Sequence, residues 1–197
     1  MPDHIILAAV GNSRFRLGLW SGRAVAESHA FEIGALENPD DELRRMLTAG
    51  PVCALADVNP SARETLEQQL AEINPTAEIA RIGVDIPLRL RHSLDDDSTV
   101  GVDRLLNAYA AFDRAKQACI IVDAGTAVTV DFVDGEGVFQ GGVIAPGVRM
   151  MLDALHQNTH ALPSISFQTP DPGRGPFGKD TSHAMRLGVR SAVVGLV

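Results

Sequence analysis

The chain has 197 residues, a length that suffices for one large domain or two small ones, and 45% of them are hydrophobic, which is enough for a sizeable core. Its formal net charge of −8 argues against nucleic-acid binding, which requires a basic face, and its longest apolar runs are well short of the roughly 18 residues of a membrane span. Because the N-terminal residues also lack the basic stretch of a secretory signal, we expect a cytoplasmic protein that handles small molecules, with no nucleic-acid or membrane partner.

The first 97 residues predict a half-molecule with the element order βββαβαβ. Runs of buried or alternating apolar residues predict its strands, and its two helical stretches begin with acidic or capping residues. The predicted strands are 4–10, 14–20, 24–33, 51–58 and 76–83, and the predicted helices are 38–50 and 59–74. Asn59 or Ser61 is the expected cap of the second helix, whose Leu66, Leu70 and Ile73 share one face.

A linking helix at 98–117 leads into a second half, 118–197, that repeats the opening of the first. Its predicted strands are 118–125, 126–133 and 138–145, and its predicted helices lie within 147–163 and 179–197. Both halves open with a strand, a glycine turn and an alternating strand, with Gly11 and Gly125 at equivalent positions. This layout resembles the duplicated ribonuclease-H-like α/β fold of the actin, Hsp70 and sugar-kinase superfamily. The resemblance implies two turns that face each other across a cleft and hold nucleotide phosphates.

The second half lacks the strand, helix and strand that its symmetry with the first half predicts. Its last predicted helix carries Met185, Val189 and Val193 in register and reaches Val197 without a glycine cap or a basic last turn. We therefore expect the C-terminal half to be truncated, or naturally degenerate. In this superfamily the missing part would form the wall that holds the adenine.

The segment Gly101-Val102-Asp103-Arg104 places an aspartate and an arginine at the start of the linking helix. An acid in the first turn stabilises a helix by about 0.3–1 kcal/mol through the helix dipole. Asp103 is therefore either a capping residue or a general base that takes a hydroxyl proton. Arg104 is either a solvent-exposed helix residue or a substrate-binding residue whose guanidinium donates two hydrogen bonds to a carboxylate.

The predicted strand 118–125 ends in Asp123, Gly125 and, one residue further, Thr126. A glycine lets backbone N–H groups approach phosphate closely, and the threonine adds a hydroxyl donor. A carboxylate can hold a cation that neutralises phosphate charge. Asp123 could instead be an Asx-turn carboxylate satisfied by local amides, but the matching turn at Gly11 favours the phosphate interpretation.

Two further segments are rich in glycine and proline. Residues 141–147, which overlap the end of the predicted strand 138–145, are expected to provide a flexible or closely approached backbone before a helix whose N-terminus can receive an anion. Residues 163–181 predict a surface loop that ends in Thr181, which is either a helix cap or a cap that also touches substrate.

The sequence lacks the motifs of several other functional classes. The six histidines show no metal-ligand spacing, and the sequence has neither a P-loop nor a Gly-x-Ser-x-Gly elbow. We therefore expect no zinc site, P-loop ATPase or serine hydrolase.

Taken in order, these motifs resemble those of the type III pantothenate kinase family, also described as Bvg accessory factor-like. The matching stretches are VGNS (10–13), GVDRLLNAYAA (101–111), IIVDAGTAVTVDFV (120–133), GGVIAPGVRMMLDAL (141–155), HALP (160–163) and GKDTSHAMRLG (178–188). They cover residues 98–190 well and the first 97 residues more loosely.

The resemblance implies a homodimeric enzyme that transfers the γ-phosphate of ATP to the hydroxyl of pantothenate, which opens coenzyme A biosynthesis. It also implies Mg²⁺ and a monovalent cation, K⁺ or NH₄⁺. By position in the motifs, Asp103 is the catalytic base and Asp123 serves the metal. The implied pantothenate contacts are Gly101, Arg104 and Thr181. The implied phosphate contacts are Gly11, Asn12, Ser13, Gly125 and Thr126.

The first turn departs from the family pattern Asp-x-Gly-Asn-Thr, because Ala9 stands where the family has aspartate, while Ser13 keeps the hydroxyl. Losing an essential carboxylate there would remove roughly 3–4 kcal/mol of transition-state stabilisation, or on the order of 10²–10³ in rate. Two other interpretations therefore stay open. One is a pseudo-kinase that binds pantothenate or acts as an accessory protein. The other is an acetate- or sugar-kinase-like enzyme on the same fold, which GVDR and GGVIAPG disfavour.

Overall fold

The computed structural model describes residues 4–197 and divides into two compact units. The first unit comprises the chain up to Leu90 together with Asp95–Asn107, and the second comprises Arg91–Leu94 and Ala108–Val197. Each unit contains one β-sheet. Within residues 4–197, no helix combines the length and the apolar character needed to cross a bilayer.

The first unit has a five-stranded sheet with the strand order β3-β2-β1-β4-β5. Strand β1 lies in the middle, antiparallel to β2 and parallel to β4. The elements are β1 (Ile5–Val10), β2 (Arg14–Trp20), β3 (Val25–Glu32), a 3-10 turn (Ile33–Leu36), α1 (Asp41–Leu47), β4 (Val52–Asp57), α2 (Pro60–Ile73) and β5 (Glu78–Arg81). Apart from the 3-10 turn, this is the predicted element order.

Capping side chains and apolar faces explain why α1 and α2 form where they do. The Asp40 carboxylate accepts the backbone N–H of Leu43 at 2.8 Å, and the Asn59 amide oxygen accepts that of Ala62 at 3.1 Å. These bonds satisfy N–H groups that a helix start leaves without partners, and they make Asn59, not Ser61, the cap of α2. Both helices bury apolar side chains in the core of the unit. That core includes Ile6, Phe15, Leu17, Leu43, Met46, Leu47, Leu55, Leu66 and Leu70.

The second unit has a four-stranded sheet with the strand order β6-β9-β8-β7. Its elements are β6 (Arg91–His92), β7 (Cys119–Ala124), β8 (Ala127–Val133), β9 (Val138–Pro146), α4 (Val148–Gln157), a 3-10 turn (Pro172–Arg174) and α5 (Thr181–Leu196). Helix α3 (Val102–Ala115) contributes residues to both units. A small core of Leu152, Met185 and Val189 joins α4 to α5.

One local prediction for the second unit is confirmed and another is wrong. The predicted strand 138–145 is β9, which extends to Pro146, and its glycine-rich end is closely approached, because a side chain at Gly142 would collide with the main chain of Val130 and Asp131 on the paired strand. Helix α4 ends at Gln157 rather than just before Pro163. The side chains of Asn158 and Thr159 bond back to carbonyls of its last turn at 2.9 and 2.7 Å.

Candidate active site

The turn Gly11–Ser13 follows the carboxyl end of β1 and leads into β2. The Gly11 N–H donates to the Arg14 carbonyl at 2.9 Å, so this amide is engaged within the turn itself. Asn12 and Ser13 are exposed. The groups that can meet a ligand at this turn are therefore those of Asn12 and Ser13, while Gly11 shapes the loop.

The start of helix α3 lies at the same edge of the first sheet as this turn. Because β1 and β4 are parallel, their carboxyl ends share one edge, where the Val58 N–H donates to the Val10 carbonyl at 3.0 Å. A methyl group built on Gly101 would lie 3.4 Å from the Val58 side chain. These contacts link the predicted pantothenate segment to the predicted phosphate turn through neighbouring strand ends of one unit.

Asp103 stands in the first turn of α3 with an exposed carboxylate. Its Oδ1 accepts the backbone N–H of Arg104 at 2.8 Å, and the Gly101 carbonyl accepts the same N–H at 3.1 Å. The bond to the helix start fits the capping interpretation and at the same time fixes the carboxylate. The capping and catalytic interpretations of Asp103 are thus compatible, since Oδ1 is held by the helix start while the side chain is exposed.

Gly101 lies directly against this carboxylate, and a methyl group at that position would overlap Asp103 Oδ1. We expect Gly101→Ala to lower kcat by about tenfold to a hundredfold, because small displacements of a catalytic group cost up to about 10²-fold. The melting temperature should change little, since the atom that must move is the end of an exposed side chain. Steady-state kinetics with thermal unfolding measures both.

Gly34→Ala is the matched control, because nothing lies within 4 Å of a methyl group built there. The control should leave kcat unchanged. Equal kcat values for Gly101→Ala and the wild-type chain would show that the Asp103 carboxylate does not depend on Gly101 for its position.

The second turn, Gly125-Thr126, joins β7 to β8 in the other unit. The Gly125 N–H donates to the Ala127 carbonyl at 2.9 Å, so this glycine amide too is engaged within its own turn. Asp123 is the last but one residue of β7, paired in register with Thr129, and its side chain is exposed. Asp123, Gly125 and Thr126 therefore form a continuous exposed surface at one strand end.

Gly147 is a site residue whose specific role the sequence did not reveal. It is the N-cap residue of α4, and its N–H donates to the Thr126 carbonyl at 3.0 Å. A side chain at this position would overlap the carbonyls of both Gly125 and Thr126. The N-terminus of the ten-residue helix α4 is thereby held against the turn, where its dipole favours an anion. The only signal in the sequence was a glycine between Pro146 and a helix.

Thr181 is the first residue of α5 and is exposed, and Asp180 is the cap. The Asp180 Oδ1 accepts the His183 N–H at 2.8 Å, and Oδ2 accepts from the Arg174 guanidinium at 2.9 Å. These two donors, the backbone N–H first, hold the pKa of Asp180 below its usual range. The start of α5 is therefore well defined, and Thr181 projects from an ordered helix end.

Among residues 4–197, Glu27, His29 and Glu42 of the first unit form a group that could hold a metal ion by geometry. The His29 ring nitrogens lie 2.8 Å from Glu27 and 3.0 Å from Glu42. Arg45 also binds Glu27 bidentately, which holds the pKa of Glu27 below its usual value. An ion-pair network between β3 and α1 accounts for this cluster, so it needs no metal.

The predicted site residues thus fall into two sets, one in each unit. At one edge of the first sheet lie Gly11, Asn12, Ser13, Gly101, Asp103 and Arg104. In the second unit, the turn with its adjoining strand end holds Asp123, Gly125 and Thr126, whereas Thr181 starts a separate element. The carboxylate of the family's first turn has no counterpart in this chain, because its position is occupied by Ala9, an exposed residue of β1.

Comparison with solved structures supports the fold. The chain is similar to the crystal structure of a putative 2-dehydro-3-deoxygalactonokinase from Sinorhizobium meliloti, with a TM-score of 0.52 and 12% identity over 98% of this chain and 78% of that chain. At this identity the likeness shows the fold alone. The fold is the ribonuclease-H-like α/β fold that the repeated strand–turn–strand pattern predicted.

Comparison with sequences defines the family. The profile of the type III pantothenate kinase family matches residues 5–197. A type III pantothenate kinase of Rhodopirellula baltica is 54% identical over 101 residues, which are 50% of this chain and 37% of that protein. One of Myxococcus xanthus is 30% identical over 197 residues, covering 95% of this chain and 76% of that protein. The chain belongs to the type III pantothenate kinase family, a family of enzymes.

Proposed function

We propose that this protein catalyses the ATP-dependent phosphorylation of pantothenate to 4'-phosphopantothenate, the first step of coenzyme A biosynthesis. The observation that carries the proposal is the fixed carboxylate of Asp103 at the sheet edge that also bears the Gly11–Ser13 turn. Membership of the type III pantothenate kinase family supports the choice of substrate.

Asp103 is the proposed general base. Its Oδ2 accepts the proton of the pantothenate hydroxyl as the hydroxyl oxygen attacks the γ-phosphorus of ATP. The bond from that phosphorus to the β,γ-bridging oxygen breaks, and ADP leaves. Phosphoryl transfer of this kind depends on positioning and charge neutralisation more than on covalent chemistry. Arg104, Gly101 and Thr181 are the proposed pantothenate contacts, and a guanidinium can bind the pantothenate carboxylate through two parallel hydrogen bonds.

The phosphate groups of ATP are the proposed ligands of the two glycine turns. In the first unit the turn comprises Gly11, Asn12 and Ser13, and in the second Gly125 and Thr126; the two glycines shape the turns and leave room for phosphate, and their neighbours supply the polar groups. The N-terminus of α4, held on the second turn by Gly147, adds a favourable dipole for negative charge.

Asp123 is the proposed residue for Mg²⁺. Its exposed carboxylate beside a phosphate turn fits the way Mg²⁺ is usually bound, by one or two carboxylates with water and substrate phosphates. When bound, the ion supplies neutralisation of phosphate charge. Ala9, at the equivalent position of the first unit, has no oxygen in its side chain and cannot serve as a ligand of the ion.

A coupled assay for ADP release tests the function. The protein with Mg²⁺ and ATP should release ADP when pantothenate is added, and omission of K⁺ or NH₄⁺ should lower the rate, since a monovalent cation is part of the proposal. Pantothenate binding without phosphorylation under any of these conditions would instead make the chain a pseudo-kinase. Phosphorylation of acetate or a sugar in place of pantothenate would refute the substrate.

A homodimer is the proposed assembly. An apolar groove of about 970 Å³ runs between α4 and α5 in the second unit, lined by Met150, Met151, Leu155, Met185 and Val189 among others. A second copy of the chain is the occupant that the proposed assembly requires, and sedimentation equilibrium tests this by measuring the mass of the assembly in solution.

The proposed location of the protein is the cytoplasm, which is consistent with its two free cysteines. Cys53 is buried, and this burial raises the pKa of its thiol to about 12.

A further inference from the structure

His183 lies in the first turn of α5, two residues after Thr181, and only 3% of its surface is exposed. Among the described residues, His183 and Asp131 are the fully buried polar or charged side chains. The proposed function gives His183 no role, so its burial requires a separate explanation.

The hydrogen bonds of the ring define its protonation. Nδ1 lies 3.2 Å from the backbone N–H of Lys179, which can only donate. Nδ1 is therefore the acceptor and carries no proton, and the neutral ring has its hydrogen on Nε2. Nε2 is buried and has no partner within residues 4–197. A buried N–H without an acceptor costs free energy, so an apolar side chain would fill this position at lower cost.

The His183 ring holds the segment Gly178–Thr181 in place. Three contacts fix this segment: the Lys179 N–H bonds to His183, Asp180 caps α5, and Gly178 packs against Ala184. A side-chain carbon at Gly178 would lie only 2.5 Å from the Ala184 Cβ, so the approach is as close as glycine permits. The Gly178–Thr181 segment is thus folded back onto the helix that it starts.

We propose that His183 is a positioning residue for Thr181 and thereby for pantothenate, acting as a neutral imidazole that anchors the Lys179 N–H. This inference rests on the proposed function, because it takes Thr181 as a pantothenate contact. The role is indirect, since the ring touches the segment and not the reacting atoms. The proposal predicts that the KM for pantothenate depends more on a hydrogen-bond acceptor at the Nδ1 position than on the volume of the ring.

Two substitutions separate positioning from packing. His183→Asn retains an acceptor near the Nδ1 position but loses volume, whereas His183→Phe retains a ring of similar size but loses the acceptor. We expect His183→Phe to raise the KM for pantothenate about tenfold with the KM for ATP unchanged, and His183→Asn to stay within about threefold of wild type. A packing role predicts the reverse order. An unchanged pantothenate KM in His183→Phe overturns the proposal.

Lys179→Ala is the matched control, because it removes the side chain and keeps the backbone donor. It should leave both KM values unchanged. Nitrogen-15 NMR of the wild-type imidazole gives a readout that does not depend on activity. An unprotonated Nδ1 and a protonated Nε2 support the anchoring bond, and the opposite tautomer refutes it. If the wild-type chain fails to phosphorylate pantothenate, the proposed function fails, while the NMR result still decides the anchoring bond.

Discussion

Replacing Asp103 by asparagine should lower kcat for pantothenate phosphorylation by about 10²–10⁴-fold, the usual contribution of a general base. Asparagine has almost the same shape, and its amide oxygen can still accept the Arg104 N–H that Oδ1 accepts at 2.8 Å. The start of α3 should therefore remain intact, and the melting temperature should stay close to the wild-type value. Initial rates at saturating ATP and pantothenate measure the effect.

Asp113→Asn is the control for this substitution, because Asp113 is an exposed aspartate on the same helix whose partner is Lys116. Surface ion pairs of this kind contribute about 0–1 kcal/mol, so the control should retain full activity. A kcat for Asp103→Asn within threefold of wild type would mean that another group removes the hydroxyl proton and that Asp103 serves only the helix start.

Replacing Ala9 by aspartate should have the opposite effect and raise kcat/KM for ATP by roughly 10²–10³-fold, because one preorganised electrostatic group is worth about 3–4 kcal/mol. Ala9 is exposed near the end of β1, two residues before Gly11. A carboxylate there supplies the ligand that the family pattern has and this chain lacks. Titration with Mg²⁺ should show half-maximal rate at a lower concentration than in the wild-type chain.

The charge, not the size, of the new side chain should matter, which Ala9→Asn tests with a neutral side chain of the same shape. Arg16 pairs with Ala9 across the antiparallel β1–β2 ladder, and an aspartate at position 9 can form an ion pair with it. If that pair forms at the expense of the metal, Ala9→Asp/Arg16→Ala should be more active than Ala9→Asp alone. Equal rates for Ala9→Asp, Ala9→Asn and wild type would show that the missing carboxylate is not a defect.

Most elements were predictable because their signals are local. The alternation of Phe15, Leu17 and Leu19 gives β2, and Asp40 and Asn59 cap helices with clear apolar faces. Strand β6 was missed because Arg91 and His92 form a two-residue strand that only its pairing with β9 defines. Residues 141–145 lie in a predicted strand, but the reason for its glycines was not predictable, because that reason is a neighbour, here the main chain opposite Gly142, that the local sequence does not contain.

The candidate site was predictable in composition but not in arrangement. Motif resemblance indicated Asp103, Asp123 and their neighbours by type. It could not show that Gly101 packs on the Asp103 carboxylate or that Gly147 fixes α4 to the second turn, because both depend on the space beside a missing side chain. The sequence also suggested that both turns meet at one cleft. This concerns the placement of the two units and stays a prediction.

The turn Gly125-Thr126 and the start of helix α4 are joined through the bond from the Gly147 N–H to the Thr126 carbonyl at 3.0 Å. A side chain at Gly147 would overlap the carbonyls of Gly125 and Thr126, so the two segments touch backbone to backbone. Local opening of the turn must break this bond, and a ligand that orders the turn opposes that opening. Deuterium exchange at the first amides of α4 should therefore slow together with exchange in the turn when nucleotide binds.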